Sequence, residues 1–184
     1  AETVIPAGFN LTSPNLSNIP PKINFINEKP TTISWFHDAN AVYFSVRFTI
    51  PYREEVPGSP TMHDTLYWQP TSNLLATSST NTQFAVTGND FYSFLTQKLS
   101  NTTNRRYFGQ VTITIEGGGR EIREYQLTAE ANAGITGAEL VQTYTNMSEG
   151  YGIFTAKNRG VYTGLRIWEE TIDAMAANPQ TQGL

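Results

Sequence analysis

Residues 40–51 read NAVYFSVRFTIP, and this stretch decides the fold class. Every second residue in it is apolar, and the apolar set is Val42, Phe44, Val46, Phe48 and Ile50. A period of two places these side chains on one face of a β-strand and cannot form an apolar stripe along a helix. The stretch therefore predicts a half-buried strand. We expect Pro51 to end it, because proline has no N–H to donate to a neighbouring strand.

Weaker alternation of the same kind predicts further short strands around Ile23, Ile33, Leu66, Phe84 and Val111. Gly117-Gly118-Gly119 then predicts a hairpin turn, with residues 120–131 returning as the partner strand, since glycine adopts positive φ angles without strain. Strands at residues 151–156 and 161–167, joined by a turn at 157–160, form a second predicted hairpin. Together these patterns predict a mainly β fold, an antiparallel immunoglobulin- or fibronectin-like β-sandwich with one or two short helices.

Two helices interrupt the β pattern, near residues 88–100 and 168–177. Thr87 can cap the first helix, with Asp90 three residues later as its capping-box partner. The apolar face of that helix repeats at helical spacing through Phe91, Phe94, Leu95 and Leu99. Residues 1–21, rich in Pro, Asn and Ser, are predicted to be a tail or linker. Residues 22–184 are predicted to be a single β-sandwich domain.

Composition limits the classes of partner. The chain has 184 residues, of which 15% are charged, and its net charge is -4. Mild acidity without a basic cluster argues against nucleic acid and anionic membrane surfaces as partners. No apolar run approaches the roughly 20 residues of a membrane span. Cysteine is absent, which excludes disulfides, thiolate metal sites and cysteine nucleophiles.

No motif in the sequence identifies a catalytic residue, and we predict neither an enzyme nor a cofactor. Gly150-Tyr151-Gly152 lacks the third glycine and the following helix that a dinucleotide-binding loop needs. His37-Asp38 and His63-Asp64 could hold a metal if their loops met, but their spacing does not require it. A hydrolase whose carboxylates or His-Asp pairs converge in the fold stays open as an alternative.

Three aromatic residues are candidates for ligand binding: Tyr43, Tyr67 and Trp168. Tyr43 lies on the polar face of the predicted strand, and the adjacent rings of Tyr67 and Trp68 must face opposite ways, so that one leaves the core. Trp168 opens the terminal helix. Flat rings on a sheet stack on sugars or anchor a partner protein. The competing explanation for all three rings is packing beneath the helices.

The chain also resembles a family of Bacteroidetes cell-envelope lipoproteins of unknown function. The resemblance covers residues 19–184. It rests on five segments: SNIPPKINF, TTISWFHDANAVYFSVRFTIPYREE, FYSFLTQKL, NMSEGYGIFTAKNRGVYTGLRI and TIDAMAANPQTQGL. The family's lipid-bearing cysteine is absent, and Leu184 stands where an aromatic residue is expected. Membrane contact would therefore require a lipid anchor outside this chain.

The resemblance implies a secreted domain at the outer-membrane surface or in the periplasm. Its expected function is non-enzymatic binding of a protein or glycan at the cell surface. The alternative within the same setting is a carbohydrate-binding module of a polysaccharide-uptake system. Immunoglobulin-like and fibronectin-like sandwiches, which the early strands also resemble, host binding more often than catalysis.

Overall fold

The computed structural model describes residues 3–26, 29–100, 102–133, 144–148, 153–178 and 181. Within these ranges the strands are β1 (Asn10–Ser13), β2 (Lys22–Ile23), β3 (Thr31–Phe36), β4 (Tyr43–Glu55), β5 (Met62–Leu75), β6 (Asn81–Val86), β7 (Arg105–Phe108), β8 (Val111–Gly118) and β9 (Lys157–Ile167). The helices are α1 (Gly88–Lys98), α2 (Arg120–Ala133) and α3 (Glu169–Ala176).

The strands form two sheets. The smaller sheet has the order β1-β3-β6, and the larger has the order β2-β9-β8-β4-β5, with β7 paired to the far end of β4. Among the described strands every pairing is antiparallel except that of β2 with β9, which is parallel. Trp35 of the smaller sheet meets Phe44 of the larger one edge to face, with ring centroids 5.2 Å apart. The predicted mainly β sandwich is confirmed.

Strand β4 forms the centre of the core, as its alternation predicts. Phe44, Val46, Phe48 and Ile50 are fully buried. Helix α1 covers the same core with Phe91, which stacks on Phe25 at a centroid distance of 4.3 Å. Thr87 and Asp90 form the predicted capping box at the start of α1. Both predicted helices are confirmed.

Pro51 does not end β4, which continues to Glu55. The Pro51 carbonyl accepts a hydrogen bond from the Gly109 N–H at 2.7 Å. The N–H and C=O of a residue in an antiparallel strand point the same way, so the missing donor of Pro51 faces this junction. There the partner of β4 changes from β8 to β7, and no ladder bond is lost.

Both predicted hairpins are wrong. Gly117 and Gly118 end β8, and the chain then enters α2 instead of returning as a strand. Residues 157–160 lie inside β9, which is one continuous strand paired to β8. Residues 153–156 form no strand, and residues 151 and 152 of the predicted strand lie outside the described residues.

The segment predicted as a tail contributes to the fold. Its strand β1 pairs with β3, and Phe9 beside it is buried. The Phe9 ring meets Phe44 at 5.6 Å, and the Phe9 carbonyl accepts a hydrogen bond from the Tyr162 hydroxyl at 2.6 Å. The folded unit therefore begins well before residue 22.

Candidate functional site

A surface groove runs past the end of β7. It consists of two cavities of about 380 and about 310 Å³ that share Tyr107, Phe108 and Gly109 as lining residues. The larger cavity is also lined by Gln110, Arg166, Ile167, Ile172 and Met175. The smaller one is also lined by Pro51, Tyr52, Arg53 and His63. We call the whole feature the β7 groove.

The shared wall of the groove is fixed by the pairing of β7 with β4. Phe108 lies opposite Tyr52, and the two rings stack with centroids 5.8 Å apart. Tyr107 lies opposite Arg53, whose guanidinium sits 4.4 Å from the centre of the Tyr107 ring. Burial raises the pKa of Tyr52 above its ordinary value of 10.0. The two aromatic rings are thus held by neighbours on β4.

A buried ion pair beneath this wall holds β7 in place. The Arg106 guanidinium lies 2.8 Å from the Glu54 carboxylate, and both side chains are buried. The Asn104 amide donates to Glu54 at 2.6 Å, and Arg106 donates to the Ser100 carbonyl at 2.8 Å. The Asn104 hydrogen bond, and then Arg106, lower the pKa of Glu54. Because strand residues alternate, the Arg106 side chain lies on the opposite face of β7 from Tyr107.

The opposite wall comes from the end of β9 and from α3. Met175 is fully buried, Ile167 is nearly so, and Ile172 is 41% exposed. Helix α3 is held against the strand β2 region, where the Thr171 hydroxyl accepts a hydrogen bond from the Phe25 N–H at 2.7 Å. The Trp168 N–H donates to the Ile23 carbonyl at 2.8 Å. These contacts place three apolar side chains along one side of the larger cavity.

Apart from tyrosines, the ionisable residues described along the groove are two arginines and one histidine. Arg53, His63 and Arg166 line it, and none of the described lining residues carries a carboxylate. Arg53 has Glu55 within 3.8 Å, which offsets part of its charge. Arg166 is exposed and takes part in no ion pair within the part of the chain that the structure describes. The arrangement can hold an apolar group with an anionic group at the rim.

Tyr43 is not available as a ligand-binding residue. Only 7% of its surface is exposed, and its hydroxyl donates to the Asn73 side chain at 2.6 Å and to the Ser72 carbonyl. Tyr43 is the first residue of β4, where it pairs with Leu75 of β5 and Gly118 of β8. The regular alternation holds only from Phe44 onward, so the prediction of an exposed Tyr43 is wrong.

Tyr67 and Trp168 are accessible but do not form one surface with each other. Tyr67 is 65% exposed on β5, and Trp168 is 41% exposed at the end of β9. The two strands are three spacings apart in the sheet, which is about 14 Å. The Lys22 amine already lies 4.5 Å above the Trp168 ring. Neither residue lines the β7 groove.

The two histidines lie in different surroundings. His37 is buried, with one ring nitrogen 2.7 Å from the Asp38 carbonyl and the other 2.9 Å from the Thr82 hydroxyl. His63 lies on β5 at the edge of the groove. The described residues contain no group of three metal-ligating side chains. The sequence left open a metal site formed by His37 and His63. Their positions in the structure do not support such a site.

The carboxylates of Glu54, Glu169 and Glu170, on which a hydrolase site could draw, bind neighbouring side chains. Glu54 binds Arg106 and Asn104. Glu169 accepts two hydrogen bonds from Lys22 at 3.0 Å, and Glu170 accepts one from Asn24 at 2.9 Å. No two of these carboxylates face each other across the β7 groove, since none of them lines it.

Sequence reasoning missed the residues that form the groove. The segment Arg105-Arg106-Tyr107-Phe108-Gly109 gives one usable signal, an aromatic pair directly before a glycine, but it has no long alternation. Arg166, Ile172 and Met175 lie more than 50 residues further along the chain, and only the tertiary fold brings them to β7. Comparisons with protein-family models, curated proteins and solved structures found no match to this chain.

Proposed function

We propose that this chain is a non-enzymatic binding domain of the cell envelope whose β7 groove holds a segment of a cell-surface protein. The observation that carries the proposal is the composition of the groove. Stacked aromatic rings and aliphatic side chains form its walls, with a small number of polar groups at its rim. Ligand sites in proteins commonly have this combination, because apolar walls supply affinity and a few polar groups fix orientation.

A protein segment suits the groove better than a compact small molecule. Two neighbouring cavities that share Tyr107, Phe108 and Gly109 as lining residues offer space to successive side chains of an extended peptide. Tyrosine and arginine, both present here, are enriched among the residues that dominate protein–protein binding energy. The Arg53 guanidinium lies over the Tyr107 ring, so these two side chains can contact the same partner segment.

The non-enzymatic part of the proposal is supported by the contacts of the candidate catalytic groups. His37, Glu54, Glu169 and Glu170 each have a structural partner, and none of the four lines the groove. A hydrolase needs an acid and a base on opposite sides of one scissile bond. Among the described lining residues there is one histidine, His63, and there is no carboxylate.

The envelope location is proposed from the lipoprotein resemblance of residues 19–184. Among the described helices none is long and apolar enough to cross a membrane. We propose that a lipid anchor outside this chain tethers the full-length protein. Detergent-phase partitioning of the native protein, before and after removal of its lipid, tests this location; equal partitioning into the aqueous phase in both cases would contradict it.

Selection of peptides from a displayed random library tests groove binding. We expect the wild-type domain to enrich peptides that bind Tyr107→Ser and Ile172→Ser at least about tenfold more weakly, because each change removes apolar contact area. Tyr67→Ser is the matched control, since it removes an exposed ring outside the groove, and it should bind these peptides normally. Enriched peptides that bind all four proteins equally would contradict the proposal.

A glycan-binding module is the second candidate function, favoured by one observation. The Tyr67 ring is 65% exposed on the face of a sheet, a geometry that suits stacking on a sugar ring. Glycan-array binding that is lost in Tyr67→Ser and kept in Tyr107→Ser would favour this candidate over the first. An array that shows no binding by the wild-type domain would remove it.

A further inference from the structure

We infer that the partner segment is acidic and presents a carboxylate beside an apolar side chain, with the carboxylate on Arg166 and the apolar side chain against Ile172, over the buried Ile167 and Met175. This inference rests on the proposed function and adds the chemistry of the ligand. It concerns the larger cavity of the β7 groove, where one cation and three aliphatic or thioether side chains occur together.

The charge of the groove differs from the charge of the chain. The protein has 16 acidic and 12 basic residues, yet the ionisable side chains described along the groove, tyrosines apart, are Arg53, His63 and Arg166. Two other surface cavities each include a carboxylate, Asp90 in one and Glu55 in the other. Basic lining without a carboxylate distinguishes the β7 groove from these cavities. Complementary charge across an interface selects the partner and excludes like-charged competitors.

Arg166 is the cation best placed to receive an anion. Its backbone is fixed, since its N–H donates to the Pro21 carbonyl at 2.8 Å. The neighbouring cation Lys22 is occupied by Glu169 at 3.0 Å, and Glu170 is bound to Asn24. Asp173, the remaining acidic residue of α3, forms no ion pair with Arg166 in the described structure. The planar guanidinium of arginine can bind a carboxylate through two parallel hydrogen bonds.

The apolar side of the same cavity determines which kind of ligand group lies beside the carboxylate. Ile172 is 41% exposed, while Ile167 and Met175 form a buried floor. An apolar side chain placed there removes the exposed part of Ile172 from water.

A matched pair of small probes tests the inference by NMR titration of the ¹⁵N-labelled chain. N-acetyl-leucine carries a carboxylate beside an apolar side chain, and N-acetyl-leucinamide is its uncharged equivalent. We expect the acid to bind roughly 10- to 100-fold more tightly than the amide, the range of a hydrogen bond to a charged group. The shifts should centre on the amides of Gly109, Gln110 and Ile172.

Arg166→Gln should remove the preference for the acid and leave the weak binding of the amide unchanged. Arg123→Gln is the matched control, because Arg123 is exposed on α2 and does not line the groove; it should keep the wild-type preference. Equal affinities of acid and amide for the wild-type chain would overturn the inference, while groove binding itself would still be decided by the Ile172→Ser selection. The absence of shifts with either probe would also overturn the inference.

A titration with decanoate distinguishes a peptide ligand from a fatty-acid ligand. We expect decanoate and N-acetyl-leucine to bind with affinities within about tenfold of each other. Decanoate binding roughly 100-fold tighter than N-acetyl-leucine would instead assign the cavity to a fatty acid and overturn the inference of an acidic peptide.

Discussion

Gly117 carries no side chain at a point where two buried aromatic rings approach the backbone of β8. A Cβ at this position would lie 2.7 Å from atoms of both Phe44 and Phe9. At the next position, a Cβ on Gly118 would lie 2.2 Å from the Ile122 Cδ1. Among the described residues positive φ occurs at Gly58 and Gly164, not at these glycines. Their role is close packing, which a sequence pattern cannot distinguish from turn formation.

Gly117→Ala is therefore expected to destabilise the fold by roughly 1–3 kcal/mol, the usual cost of overpacking a dense core. Gly8→Ala is the control, because a Cβ there would meet no atom within 4 Å. It should change the free energy of unfolding by about 0.5 kcal/mol or less. Urea denaturation measures both variants. Equal unfolding free energies for the two variants would mean that the rings of Phe9 and Phe44 do not restrict position 117.

At the scale of elements, prediction from sequence succeeded where a local pattern was long and consistent. The alternation of β4 and the capping box of α1 depend on neighbouring residues alone, and both occur in the structure. Residues 120–131 were predicted as a strand because three glycines precede them, although Arg120 and Glu124 are spaced as an ion pair on a helix. The extension of β4 past Pro51 could not be predicted, because it depends on β7, a distant partner.

The ion pair between Glu54 of β4 and Arg106 of β7 gives a prediction about stability. Glu54→Gln leaves Arg106 buried without its counter-charge, and we expect a loss of roughly 3–5 kcal/mol at pH 7. Because the folded state lowers the pKa of Glu54 below its ordinary value of about 4.5, its stabilisation is complete above that value. The stabilisation is then lost as the pH falls through the lowered, folded-state pKa. The difference between wild type and variant should accordingly shrink in acid.

Urea denaturation between neutral and acidic pH measures this difference. Glu55→Gln is the neighbouring control, since Glu55 is partly exposed and its ion pair with Arg53 is long, at 3.8 Å. It should cost about 1 kcal/mol or less at any pH. A Glu54→Gln deficit that stays constant down to the acid limit of folding would show that the Glu54 charge does not stabilise β7.

On the scale of the whole molecule, the β7 groove is built from parts that are far apart in sequence. β7 lines both cavities, the end of β9 with α3 lines the larger one, and β4 with β5 lines the smaller one. The parallel pairing of β2 with β9 and the contacts of Thr171 position α3. Such long-range registers leave no local trace in a single sequence. The class of fold can thus be predicted from the sequence, whereas the site cannot.

The central claim is that this groove is where the protein binds its partner. Chemical-shift mapping tests it most directly, with the labelled chain and the peptide that the library selection enriches most. We expect the largest shifts on Tyr107, Gly109, Gln110 and Ile172, and no shift on Tyr67 of β5. Shifts centred on Tyr67 and its neighbours, with the groove residues unchanged, would contradict it.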